Sequence, residues 1–299
     1  MTNVDVHQHL WSGAFVAALR ARDKPPFLDG WTLYVEGEPP YEVSPADHDV
    51  ARRTELAAAD GLGRALVSLS APLGVEWLPA EQVRPLLDAY HEGAAELPEP
   101  FGAWAAACVQ DIDADATAAV LDRGFAGLQL PANALADAAG YARCAELLDL
   151  LESRGLPLFV HPGPATGEPS APGWWPALVP YVQQMHAAWF AFRAFGRPRH
   201  PRLRVCFALL AGLAPLHGER FAARSGERDA VDPDVFVETS SYGPRAVEAI
   251  VRALGTDAVV QGTDRPYAEP PQRPGFGLGL DAEHAFRVAN PRRLLTGKG

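Results

Sequence analysis

Val4-Asp5-Val6-His7-Gln8-His9-Leu10-Trp11 reads as a short buried strand with two imidazoles at its end. Side chains two apart on a strand point to the same face. His7 and His9 are thus presented side by side, which suits chelation of a borderline ion such as Zn²⁺. The pair alone also describes two surface histidines after a strand, because so short a motif recurs by chance.

Seven more apolar runs follow. They are Arg64–Ser70, Phe101–Val109, Gly127–Leu130, Pro157–His161, Arg204–Leu210, Val235–Thr239 and Ala258–Asp264. Each is short enough to be a parallel strand buried on both faces, where apolar residues need not alternate. Amphipathic stretches lie between them. Ala142–Arg154 carries Cys144, Leu147, Leu148 and Leu151 at helical spacing and stops at Gly155; Ala114–Arg123 and Pro244–Leu254 stop at Gly124 and Gly255. This alternation over 299 residues predicts an α/β fold, a (β/α)8 TIM barrel forming a single domain over residues 1–299. A doubly wound open sheet is the main alternative, but no Gly-x-Gly-x-x-Gly turn follows the first strand. Long loops are expected after strand 1 (Trp11 to about Asp47) and after strand 5 (Pro162 to about Pro180, with Gly173-Trp174-Trp175-Pro176). Both fall on the face where barrel enzymes build their sites, as lids or pocket walls.

With 26 basic and 37 acidic residues, the net charge of −11 repels phosphate backbones, so nucleic acid is not an expected partner. No apolar stretch is long enough to span a bilayer, and the first residues lack the pattern of a signal peptide. Cys108, Cys144 and Cys206 are odd in number and widely spaced, which fits buried thiols in a reducing cytoplasm and makes a cysteine zinc site an unlikely reading.

His161 ends the fifth apolar run and Asp264 the eighth. Taken singly, one is a hydrogen-bonded strand-end histidine and the other a turn-forming aspartate before Arg265-Pro266. Together with His7 and His9 they converge on one end of one barrel. Three neutral nitrogens and a carboxylate leave a metal an open position, as catalytic sites do.

The first strand resembles the His-x-His strand of the amidohydrolase superfamily. Gly127-Leu128-Gln129-Leu130-Pro131, Phe159-Val160-His161-Pro162, Val235–Gly243, Gln261-Gly262-Thr263-Asp264-Arg265-Pro266-Tyr267 and Asn290-Pro291 resemble, in order, later segments of its branch of aminocarboxymuconate-semialdehyde decarboxylase and related aromatic-acid decarboxylases. The resemblance implies His7, His9, His161 and Asp264 as ligands of one divalent ion, Zn²⁺ first and Mn²⁺ second. It places Glu238, Thr239 and Ser240 near the mouth, and by analogy offers a homodimer as the assembly.

One position departs from that pattern. The branch's sixth strand ends in a histidine that polarises water or protonates substrate, and here Cys206-Phe207-Ala208-Leu209-Leu210-Ala211-Gly212 puts Leu209 there. His186, His217 or Asp264 alone are the candidates to supply the lost function. Arg265 is a candidate carboxylate clamp, or else a rim salt bridge. Trp11, Trp174, Trp175 and Tyr267 are candidate pocket walls, and Gln129 a candidate inward polar donor.

The leading expectation is a hydrolase that uses metal-activated water on an amide, lactone or cyclic imide, with Asp264 and His186 as proton carriers. A non-oxidative decarboxylase of an aromatic or unsaturated acid is the runner-up, and a non-catalytic ligand-binding protein the third reading. All three take a small molecule as partner.

Overall fold

A computed structural model describes residues 2–165, 171–271 and 274–298. Its parallel strands arise in the predicted runs, mostly shortened: β1 (Val4–Gln8), β2 (Arg64–Val67), β3 (Phe101–Ala103 and Ala105–Ala106), β4 (Leu128–Pro131), β5 (Leu158–His161), β6 (Val205–Phe207), β7 (Val235–Glu238) and β8 (Val259–Val260). One ladder runs β1-β2-β3. A second runs from the other half of β3 through β4, β5, β6 and β7 to β8. The change of partner falls at Trp104, whose backbone N–H donates to Val67 while that of Ala105 donates to Gly127. The ladders do not make one unbroken closed sheet. Backbone hydrogen bonds join their far ends instead: Val6 to Gln261 at 2.9 Å, Thr263 to His7 at 3.2 Å and His9 to Arg265 at 2.7 Å. The eight strands thus follow the order of a (β/α)8 barrel.

Each strand is followed by a helix: α1 (Val50–Ala59), α2 (Ala80–Ala95), α3 (Ala114–Leu121), α4 (Ala145–Arg154), α5 (Pro180–Ala191), α6 (Gly218–Ser225), α7 (Pro244–Leu254) and α8 (Asn290–Thr296). Asp49 and Asp113 cap α1 and α3 by accepting from the N–H of Arg52 and Ala116. The helix expected over 142–154 is broken at Cys144 (φ −85°, ψ 6°), with a separate short helix over Ala138–Arg143.

Aromatic residues fill the interior beneath the mouth. Phe159 on β5 stacks on Trp104, with centroids 5.1 Å apart. The Trp104 indole crosses to β1 and donates to the Val6 carbonyl at 2.9 Å. A buried indole keeps its N–H partnered in this way.

The excursion after β1 is structured. It holds a helix over Gly13–Arg20, an antiparallel flap of Phe27–Asp29, Thr32–Tyr34 and Tyr41–Glu42, and a helical turn over Pro45–His48. In the connection after β5, residues 166–170 lie outside the described residues, and Trp175–Leu178 forms a single turn before α5. The strand expected to run to Leu210 stops at Phe207. Leu209, Leu210, Ala211, Gly212 and Leu213 then take left-handed backbone, with φ between 47° and 61°. No helix of the described residues is long and apolar enough to cross a membrane.

Candidate metal centre

His7, His9, His161 and Asp264 come together at the C-terminal ends of β1 and β5 and after β8, with one potential ligand atom of each within 4.8 Å of all the others. His7 Nε2 lies 3.1 Å from His9 Nε2 and 3.5 Å from Asp264 Oδ1, and His9 Nε2 lies 3.1 Å from that same oxygen. Ligands about 2.0–2.2 Å from a tetrahedral ion would be spaced on this scale. All three histidines are buried.

Partners behind the rings fix which nitrogen faces the centre. His9 Nδ1 lies 2.9 Å from the Ser68 carbonyl, and His161 Nδ1 lies 2.8 Å from the Pro162 carbonyl. A carbonyl only accepts, so each Nδ1 carries the proton and each Nε2 turns a lone pair inward. His7 Nδ1 lies 3.2 Å from Glu238 Oε1, which orients it likewise. Metal-ligating histidines are held by such outer partners.

The charges fit a cation. Burial, then the nearby His7, holds His9 and His161 neutral, with pKa values well below the ordinary histidine value. Burial also opposes the cationic form of His7, yet Glu238 and Asp264 outweigh it and raise its pKa. Burial raises Asp264 as well, against the pull of His7 and His161. Two inward lone pairs 3.1 Å apart repel unless a positive charge sits between them. A proton on His7 meets that need, and so does a divalent ion bound by all four residues.

Buried polar groups support the cluster from behind. Asp5 accepts from the N–H of His7, from Gln8 Nε2, and from both the N–H and the hydroxyl of Thr263. Arg53 on α1 donates to the carbonyls of His9, Asp47 and Arg265 and to Gln8 Oε1. Gly262 is a glycine for want of space: a Cβ there would fall 2.2 Å from Glu238 Oε2 and 2.9 Å from His7 Cβ.

The other candidates are spread around this centre. Trp11 is buried, lies flat on His48 with centroids 4.5 Å apart, and donates to Ser70 Oγ, itself 3.3 Å from His9 Nδ1. Tyr267 lies edge-on to His9 at 5.3 Å. Arg265 is already paired, at 2.7 Å with Asp60 and 3.0 Å with Glu269. Trp174 is exposed and leans on Trp175. His186 packs on Phe190 and His217 along α5, and is not one of the four converging residues. Leu209 packs against the hydrophobic core, with its N–H 2.7 Å from Glu238 Oε1. Gln129 points inward from β4 and donates to Glu76 Oε1 at 3.0 Å. Glu76 Oε2 and Gln129 Oε1 have no partner, both residues are sealed from solvent, and burial pushes Glu76 up to about 7.

Glu238 ends an apolar strand as His161 does, and that signal marks it in the sequence. Glu76, in the irregular run Gly74-Val75-Glu76-Trp77, carries no such mark.

The chain matches the family model described as "Amidohydrolase" over residues 4–296. No curated protein matches it in sequence. Solved structures do match in fold. An IDCase of Metarhizium anisopliae in apo form is 16% identical, with a TM-score of 0.78 over 98% of this chain and 97% of that one. A 5-carboxyvanillate decarboxylase of Novosphingobium aromaticivorans, solved with bound manganese and a nitrobenzoic acid, is 16% identical, with a TM-score of 0.75 over 98% and 97%. A 2,6-dihydroxybenzoate decarboxylase from Rhizobium is 18% identical, with a TM-score of 0.69 over the whole of both chains.

Proposed function

The chain belongs to the amidohydrolase family, and on that premise we propose that it is a metal-dependent carboxy-lyase that removes CO₂ non-oxidatively from an aromatic or unsaturated carboxylic acid. Hydrolysis is the leading expectation from sequence, and the decarboxylases among the fold relatives are the observation that moves the weight. Leu209, whose N–H meets Glu238 Oε1 behind His7, stands where the resemblance implies a histidine that polarises water or protonates substrate. Leucine carries no proton, so either reaction falls back on Asp264 there.

A divalent ion, Zn²⁺ or Mn²⁺, held by His7, His9, His161 and Asp264 would supply a Lewis acid that fixes the substrate's oxygens. In this reading Asp264 is the acid. The bond from the substrate carbon to its carboxylate breaks, the electron pair stays on carbon, CO₂ leaves, and the Asp264 proton goes to that carbon. Trp11 and Tyr267 flank the acceptor ring. The three free cysteines suit a reducing compartment, so the cytoplasm is the proposed location.

Hydrolysis of a lactone, amide or cyclic imide, with Asp264 as base, is the second reading, because the same four residues suit metal-assisted attack by water. The deciding experiment loads the protein with Zn²⁺ or Mn²⁺ and offers hydroxybenzoates, unsaturated acids, lactones and cyclic imides. CO₂ release from an acid supports the lyase; ring opening without CO₂ overturns it.

A further inference from the structure

The left-handed segment Leu209–Leu213 is unexplained by chain economy. Four of its five residues are not glycine, yet all take φ between 47° and 61°. Side chains crowd the backbone in that region, so single residues visit it and runs do not. Strain of this kind persists only where the surroundings over-determine it. Here they do: Leu210 and Ala211 are wholly buried, the Ala211 N–H is bonded to Ala208, and a Cβ on Gly212 would meet the Val182 carbonyl of α5 at 2.6 Å.

The segment delivers one hydrogen bond to Glu238. The Leu209 N–H meets Glu238 Oε1 at 2.7 Å. That oxygen also accepts from Ser240 Oγ at 2.6 Å and His7 Nδ1 at 3.2 Å, while Oε2 accepts from the Ser240 N–H at 2.7 Å. The wholly buried carboxylate is thus surrounded by donors on both oxygens.

We infer that Leu209 and Glu238 are positioning residues for the metal centre: the left-handed turn holds the Leu209 amide against Glu238, and Glu238 holds His7 with Nε2 toward the ion. Position 209 acts through its backbone, and its side chain is dispensable for metal binding. The inference rests on the four-residue metal site proposed above. A carboxylate behind a ligating histidine fixes its tautomer and raises its basicity, and losing one typically costs about 10- to 100-fold in metal affinity.

The test compares wild type, Glu238→Gln and Leu209→Ala. Glutamine keeps the shape but turns an NH₂ against N–H or O–H donors. Mn²⁺ affinity is read by electron paramagnetic resonance, and the His7 tautomer by nitrogen NMR of the metal-free protein. Glu238→Gln is expected to weaken Mn²⁺ binding about 10- to 100-fold and to shift the His7 proton off Nδ1. Leu209→Ala is expected to change neither. Wild-type affinity and an unchanged His7 tautomer in Glu238→Gln overturn the inference, as does an equal loss in Leu209→Ala. If wild type itself binds no Mn²⁺ or Zn²⁺, the metal-site reading falls, while the tautomer comparison still decides whether Glu238 orients His7. Should Glu238→Gln not fold, Ser240→Ala, which removes one donor to Glu238, is read in the same two ways.

Discussion

Thr263 gives both its backbone N–H and its hydroxyl to the carboxylate of Asp5, at 3.1 and 2.7 Å, across the seam where the last strand region meets the first. Leaving a buried acceptor short of one donor costs about 1–3 kcal/mol. Thr263→Val is therefore expected to lower unfolding free energy by about that amount in denaturant titration. An unchanged midpoint would show that the seam does not depend on this hydroxyl.

Metal affinity should depend on pH with a definite sign. Burial opposes a charge on His7, but Glu238 and Asp264 raise its pKa above the ordinary histidine value. A proton must leave before Nε2 can ligate, so Zn²⁺ binding weakens as pH falls, by about tenfold per pH unit once His7 is protonated. Competition with a chelator across pH measures this. Affinity flat from neutral to acidic pH would contradict it.

Leu209→His restores an imidazole at the centre. Histidine tolerates left-handed backbone better than leucine does, so the turn can accept it. General-base assistance contributes about 10²–10⁴-fold to a hydrolytic step. Turnover of the substrate the protein accepts is expected to rise at least about tenfold. Unchanged turnover would show that a side chain at position 209 does not reach the reacting atoms.

Glu76 predicts a pH dependence of stability. Its carboxyl is sealed against Gln129 and burial raises its pKa to about 7, against an ordinary 4.5. Tyr90, on α2, is the titratable group that feels its charge. The folded state holds a proton that the unfolded state has released, so stability is full below pH ~4.5 and falls as pH rises to ~7. The loss is up to roughly 3 kcal/mol. Glu76→Gln should flatten this part of the profile in urea titrations. A wild-type profile already flat there would show that Glu76 is ionised in the fold.

Much of this molecule is legible in one dimension. The strands are apolar runs between helix caps, and His7, His9, His161 and Asp264 stand out because an ionisable residue at the end of an apolar strand has nowhere to go except the barrel mouth. The left-handed turn at Leu209 is not legible, since four leucines and alanines promise strand or helix, and only the packing on α5 forces another backbone. The tethering of Arg265 depends on Asp60, 205 residues away. The placement of His186 beside His217 depends on where α5 meets the segment before α6. Local pattern holds no record of such meetings.

Arg53 reaches oxygens of Gln8, His9, Asp47 and Arg265 from a helix that supplies no metal ligand. None of those oxygens is an atom that would bind the ion. The chain thus braces the centre by itself, and the site is expected to hold its shape without its ion, unlike small zinc modules that fold only around theirs. Stripping the metal should leave a folded vessel ready to reload, and the rate of loading is then a matter of passage through the mouth rather than of folding.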